Sequence, residues 1–193
     1  MKLLVTGGAG FIGANFVKYV LRERDWSIRN FDALTYAGNL ENLRDVETNP
    51  RYEFVKGNVC DASAVAAATD GIDAVAHFAA ETHVDRSIIG AREFIMTNVQ
   101  GTYEILEATK ERKLRVLHVS TDEVFGSIPK PRLARESDPF EPSSPYSATK
   151  AAGDFLALSY HRTHGLPVVV ARPANNYGPY QLPEKLLPLA ITH

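Results

Sequence analysis

Three groups of residues in this chain have the types and spacing to do chemistry. The first is Thr6-Gly7-Gly8-Ala9-Gly10-Phe11-Ile12-Gly13, which fits G-x-G-x-x-G through Gly8, Gly10 and Gly13, and G-x-x-G-x-x-G through Gly7, Gly10 and Gly13. Glycines there permit a tight turn and let a pyrophosphate approach the backbone at a helix N-terminus, where free N–H groups and the dipole favour an anion. Asp32 follows at the distance expected of a carboxylate that accepts from adenosine ribose hydroxyls. It would repel a 2′-phosphate, so the pattern predicts NAD rather than NADP. The second group is Tyr146 and Lys150 in Y-S-A-T-K, a phenol and an ammonium at i and i+4 on one helix face. A nearby cation favours phenolate, so the pair suggests a proton-abstracting tyrosine whose pKa falls. The third is Ser120-Thr121-Asp122-Glu123, two adjacent carboxylates that suggest one acid and one base beyond plain hydride transfer.

The elements that must position these groups are legible as alternation. Apolar runs at 3–5, 27–31, 52–56, 74–79, 115–120 and 167–171 read as strands. Helical patterns lie between them, the clearest at 11–24, 91–113 and 146–164. Strands separated by helices predict βαβ units and an α/β doubly wound parallel sheet, a Rossmann fold with ligands at the strands' C-terminal rim. The glycine turn and the Asp-Glu pair each follow a strand on that rim, and Tyr146 and Lys150 lie in the helical stretch at 146–164. Ten of the eleven prolines lie after residue 128, five of them in a polar stretch from Gly126 to Pro145. A loop that long predicts a functional or mobile segment.

Composition removes several classes. With 193 residues, 45% hydrophobic and 23% charged, the chain can bury a core without metal or disulfides. A net charge of −2 argues against coating nucleic acid or an anionic membrane. The one cysteine, Cys60, cannot form an internal disulfide, so a reducing compartment is expected and a cytoplasmic protein with it. No apolar run is long enough to span a membrane, and the strand at the start leaves no room for a signal peptide. The six histidines fall in no zinc pattern, with His161 and His164 expected on an exposed helix end. Cys60 reads as a buried small hydrophobe.

Six segments together resemble the dTDP-glucose 4,6-dehydratases of the extended short-chain dehydrogenase/reductase family. They are T-G-G-A-G-F-I-G, F-D-A-L-T-Y-A-G-N-L-E-N-L, H-F-A-A-E-T-H-V-D-R-S-I, S-T-D-E-V-F-G, P-Y-S-A-T-K and N-N-Y-G-P-Y-Q-L-P-E-K-L-L-P-L, and they run the length of the chain. Related epimerases lack the Asp-Glu pair, and UDP-glucuronate decarboxylases usually lack the Asp122 equivalent. The resemblance implies a tightly held NAD and a closed redox cycle. Tyr146 would take the proton of the sugar 4-hydroxyl while hydride leaves C4, with Lys150 holding the cofactor ribose. Glu123 would then remove the C5 proton that the 4-keto group acidifies, Asp122 would protonate the departing 6-hydroxyl, and hydride would return to C6. Thr121 and Thr82 would contact the hexose, Asn175, Lys185 and Leu186 the substrate side, and Asn176 the cofactor. Phe11, Ile12, Ala33, Leu34, Thr35, Asn58, Val59, Ala79, Ala80 and Thr97 fall on the family's cofactor positions.

Departures from the family pattern are mild except for length. Asn58 stands where an aspartate is usual, Ala33 where a polar residue is, Phe125 where a tyrosine is, and Thr82 where a serine is. The family's chains are much longer, so residues 1–193 are expected to form a dinucleotide-binding domain incomplete at its C-terminal end, without the smaller substrate domain. Alternatives are another nucleotide-sugar dehydratase or decarboxylase and, from a different class, a catalytically silent NAD-binding fragment. The intact Tyr146, Lys150, Asp122 and Glu123 argue against the last. Relatives pair as homodimers through helices matching 91–113 and 146–164, whose second faces carry Tyr103, Leu106, Leu156 and Tyr160. A homodimer is expected here too, with a nucleotide sugar as substrate and neither nucleic acid nor membrane as partner.

Overall fold

In the computed structural model, which describes residues 1–192, six parallel strands form one sheet in the order β3-β2-β1-β4-β5-β6. The strands are β1 (Lys2–Thr6), β2 (Ser27–Asp32), β3 (Tyr52–Lys56), β4 (Ala74–His77), β5 (Arg115–Val119) and β6 (Val168–Ala171). The order reverses between β1 and β4, and such a reversal opens a crevice at the strands' C-terminal ends. This is the doubly wound sheet that the alternation predicts.

Side chains alternate across the sheet and fill a core on each face. Leu3, Val5, Ala74 and Ala76 pack with Ala14, Val17, Val20 and Leu21 of α1 (Phe11–Glu23). Leu4, Val75 and Val116 point the other way. There they meet Val65 and Ala68 of α2 (Ala62–Thr69), Ile105 and Leu106 of α5 (Gly101–Lys110), and Ala157 and Tyr160 of α6 (Pro145–His164). Burial of both sheet faces is what makes its strands read as continuous apolar runs. Two shorter helices, α3 (Val84–Ile89) and α4 (Arg92–Phe94), follow β4, and α7 (Leu186–Thr192) ends the described chain.

The predicted helix at 91–113 runs from Arg92 to Lys110 with a π turn at Ile95–Gln100 inside it. A π turn rephases a helix locally and is frequent at functional sites. The helix α6 begins with Ser144 as a capping box with Ser147 and Pro145 at its first position, and ends at Gly165 with φ of +66°. Those signals fix where Tyr146 emerges: in the first turn, at the sheet's C-terminal rim.

The expected burial of the two helix faces and of Cys60 needs correction. Leu106 and Tyr160 do not belong to a free second face, because both are buried in the chain's own core. Leu156 is partly buried against the same core, whereas Tyr103 is exposed as expected, together with Ile95 and Phe155. The 126–145 loop is largely exposed and contributes nothing to the cavity at the rim. Its anchoring comes from Phe140 packed edge-on against Phe125, 5.4 Å between centroids, so the aromatic at 125 serves packing. Cys60 is half-buried rather than fully buried, its thiol donating to the Met96 carbonyl. Among the described residues no helix is long and apolar enough to cross a membrane, and no cluster of three or more His, Cys, Asp or Glu could hold a metal.

Candidate active site

One cavity of about 980 Å³ occupies the crevice above β1 and β4. Every residue to which the family resemblance assigns a catalytic, cofactor or substrate role lines it except Leu34 and Leu186. Leu34 contributes only its backbone nearby, and the side chain of Leu186 lies outside the described residues.

At one end the backbone builds the wall. Gly7 has φ of +69°, and a Cβ there would sit 2.6 Å from the Ala79 nitrogen. A Cβ on Gly13 would meet the Gly7 carbonyl oxygen, so helix and turn are in backbone contact. Gly8 instead packs under Asn30 and does not line the cavity. The spacing at the cavity wall is therefore Gly7, Gly10, Gly13. No side chain caps the N-terminus of α1, and its first turn carries no acidic residue, so its free N–H groups face the cavity. Asp32 is buried, with Oδ2 accepting from the Ala9 N–H at 2.9 Å and Oδ1 from the Leu34 N–H at 2.8 Å. It thus ties the glycine turn to the loop after β2 while its remaining lone pairs face the cavity. The amide oxygen of Asn58 accepts from the Cys60 N–H, fixing that side chain in a turn at the rim.

At the other end side chains do the work. Tyr146 is buried, held through its backbone N–H by the Ser87 hydroxyl at 3.1 Å and packed against Phe94. Burial pushes its phenol up to about 12; the facing Thr121 hydroxyl pulls it down, and Glu123 and Asp122 push it further up. That reverses the expected fall, and the reason is visible one turn on. The ammonium of Lys150 donates to the Val119 carbonyl at 2.7 Å, and burial brings it down to about 8. A desolvated lysine committed to a carbonyl does not lower the phenol.

Thr121 caps the short 3₁₀ turn Asp122–Phe125, its hydroxyl accepting from the Glu123 N–H at 3.2 Å. The Asp122 N–H donates to the Pro173 carbonyl, which docks the loop after β6 and its Asn175 and Asn176 beside the carboxylates. Burial pushes the Glu123 carboxyl up, partly offset by Lys185 and reinforced by Asp122. Glu123 is therefore a stronger base than a free glutamate, set beside a phenol that starts protonated.

Several contributors are not evident from motif spacing. Asn98, in the π turn, is buried; its oxygen accepts from the Glu81 N–H at 2.8 Å, and its amide donates to the Glu81 carbonyl and the Thr149 hydroxyl. It clamps the loop after β4, which carries Thr82, to α6, which carries Tyr146. An asparagine inside an apolar helix pattern was the available signal. Tyr36 joins the loop after β2 to α3, with the Arg86 guanidinium 4.3 Å over its ring.

The chain matches the family model described as GDP-mannose 4,6 dehydratase over residues 4–193. It is 53% identical to a dTDP-glucose 4,6-dehydratase of Streptomyces niveus, over 100% of this chain and 59% of that protein. Among solved structures, a double mutant of a Streptomyces venezuelae dTDP-glucose 4,6-dehydratase, solved with NAD bound, superposes with a TM-score of 0.96. Identity there is 52%, over 100% of this chain and 61% of the other. A Bacillus anthracis dTDP-glucose 4,6-dehydratase in complex with NAD gives 0.92 at 45% identity, covering 100% and 60%. The chain thus spans about three fifths of the length of the relatives it matches.

Proposed function

Because this chain belongs to the GDP-mannose 4,6-dehydratase family, we propose that it forms the cofactor and catalytic face of an NAD-dependent dTDP-glucose 4,6-dehydratase. One observation carries the reading: a buried phenol and two carboxylates share one wall of a cavity whose opposite end is an uncapped helix N-terminus. Plain oxidation of an alcohol needs only the phenol. Elimination of water needs a second base and an acid, and those are the groups present.

The donor set fits NAD. The uncapped amides of α1 suit a pyrophosphate, Gly7 and Gly13 leave room for it, and Asp32 has lone pairs left for ribose hydroxyls. Asn58, Val59, Ala33 and Thr35 would border the adenosine, with Ala79, Ala80, Thr97 and Asn176 further along. Bound NAD supplies a positive ring, a hydride acceptor for C4 and the hydride later returned to C6. Lys150 binds ribose and, with the positive ring, adds the positive charge that lets the phenol give up its own proton to solvent before the sugar is oxidised. As phenolate, Tyr146 then receives the proton of the 4-hydroxyl. Glu123 removes the C5 proton once the neighbouring ketone has acidified it. Asp122 gives its proton to the departing 6-hydroxyl, and water leaves. Thr82, Thr121, Asn175, Lys185 and Leu186 position the nucleotide sugar.

The lone thiol of Cys60 suits a reducing compartment, here the cytoplasm. The exposed Ile95, Tyr103 and Phe155 suit pairing of two copies through α5 and α6. The test is a product assay on the full-length protein with dTDP-glucose, UDP-glucose and GDP-mannose in parallel. Formation of a 4-keto-6-deoxy product from dTDP-glucose alone is expected. Product from only a UDP- or GDP-sugar would reassign the substrate, and none from any would overturn the reading.

A further inference from the structure

Behind Lys150, away from the cavity, lies a buried charged cluster that the reaction above does not use. Asp154 is wholly buried, one helical turn beyond Lys150 and two beyond Tyr146 on α6. Its Oδ2 accepts from the Arg172 Nε–H at 2.7 Å, at the end of β6. Its Oδ1 lies 3.3 Å from His118 Nε2 on β5, off the line of a good hydrogen bond. His118 in turn stacks near His77 of β4, 5.6 Å between centroids, and His77 is held by the hydroxyls of Thr6 and Thr102. No substrate or cofactor reaches this cluster, since none of Asp154, His118 and Arg172 lines the cavity.

We propose that Asp154 is a positioning residue for Lys150, a buried carboxylate that supplies the counter-charge keeping the lysine an ammonium within the site. The titratable groups that bear on Lys150 are Tyr146 and Asp154, one turn to either side on its own helix, and His77 of β4 and His118 of β5, with Arg172 beyond Asp154. Burial holds both histidines toward the neutral form, and the lysine's charge adds to that. Asp154 is then the negative group acting on Lys150, and it is shared with Arg172. A guanidinium cannot release its proton, so if the carboxylate were lost the ammonium would be the group to yield.

A purely structural clamp between α6 and β6 makes a different prediction, and two variants separate them. Asp154→Asn removes the counter-charge, whereas Arg172→Gln breaks the same clamp but frees the carboxylate for Lys150. The Lys150 Nζ titration is followed by ¹⁵N-lysine NMR on the full-length protein, its resonance assigned by loss in Lys150→Arg. Counter-charge action lowers the midpoint in Asp154→Asn by about one pH unit and raises it in Arg172→Gln. Midpoints that stay fixed, or move together, would overturn the proposal. If Asp154→Asn does not fold, Arg172→Gln alone decides: a rise supports the proposal, and no change or a fall refutes it. The proposal rests on Lys150 being a site residue, yet the NMR measurement needs no substrate. Failure of the dehydratase reading would therefore leave its outcome intact. In the full-length protein, the alkaline limb of turnover should move in the same direction as each midpoint.

Discussion

The two ends of the cavity are built from different materials. The end on β1, β2 and β3 is mostly backbone: glycines in contact, an uncapped helix and a carboxylate bound by two main-chain amides. The end on β4, β5 and β6 is made of buried side chains whose protonation the fold has moved, Tyr146 up, Lys150 down and Glu123 up. Binding an anion requires fixed dipoles at a fixed distance, which backbone supplies without titrating. Moving protons in sequence requires groups whose affinities differ from their values in water, which only burial and neighbouring charge supply. Substitutions at the first end should therefore cost affinity, and at the second end turnover.

Tyr146→Phe should give the largest effect, a loss of turnover of about 10²–10⁴-fold, with NAD affinity close to wild type by calorimetry. Comparable loss of NAD affinity would erase the distinction between the two ends. Gly13→Ala should do the reverse. The added methyl meets the Gly7 carbonyl and Gly8 Cα, backbone atoms that cannot move aside, and overpacking of that kind costs about 1–3 kcal/mol. NAD affinity and melting temperature should fall together, and unchanged affinity would show that the turn does not hold the cofactor. The smallest effect is expected from Asp32→Asn, which keeps size and one acceptor. It should weaken NAD binding by about tenfold and narrow the preference over NADP, since the repelling charge is gone. An unchanged NAD/NADP ratio in a binding titration would remove Asp32 from the cofactor end.

The same contrast explains what could be read from the sequence. Gly7, Gly10, Gly13 and Asp32 were legible because their role depends on spacing along the chain and on the strand-turn-helix that carries it. The parallel, doubly wound sheet followed from alternation for the same reason. The direction of the Tyr146 shift was not legible, because it depends on burial and on Lys150 being turned to the Val119 carbonyl, neither of which has a sequence period. Nor was the π turn that presents Asn98, since the helical pattern continues through it. Leu106 and Tyr160 misled for a related reason: an apolar side chain reads alike whether a partner or the chain's own sheet covers it.

The central claim is that the cavity's two carboxylates serve a step that follows oxidation. Glu123→Gln keeps size and hydrogen bonding but removes the base, so in the full-length protein with dTDP-glucose the C4 oxidation should proceed and elimination should stop. Rapid-scan absorbance should then show the near-ultraviolet band of the reduced cofactor rising toward one equivalent per site and persisting, with no 4-keto-6-deoxy product. Turnover within a few-fold of wild type, with no persistent band, would contradict the account and leave Glu123 as a residue that only shapes its loop.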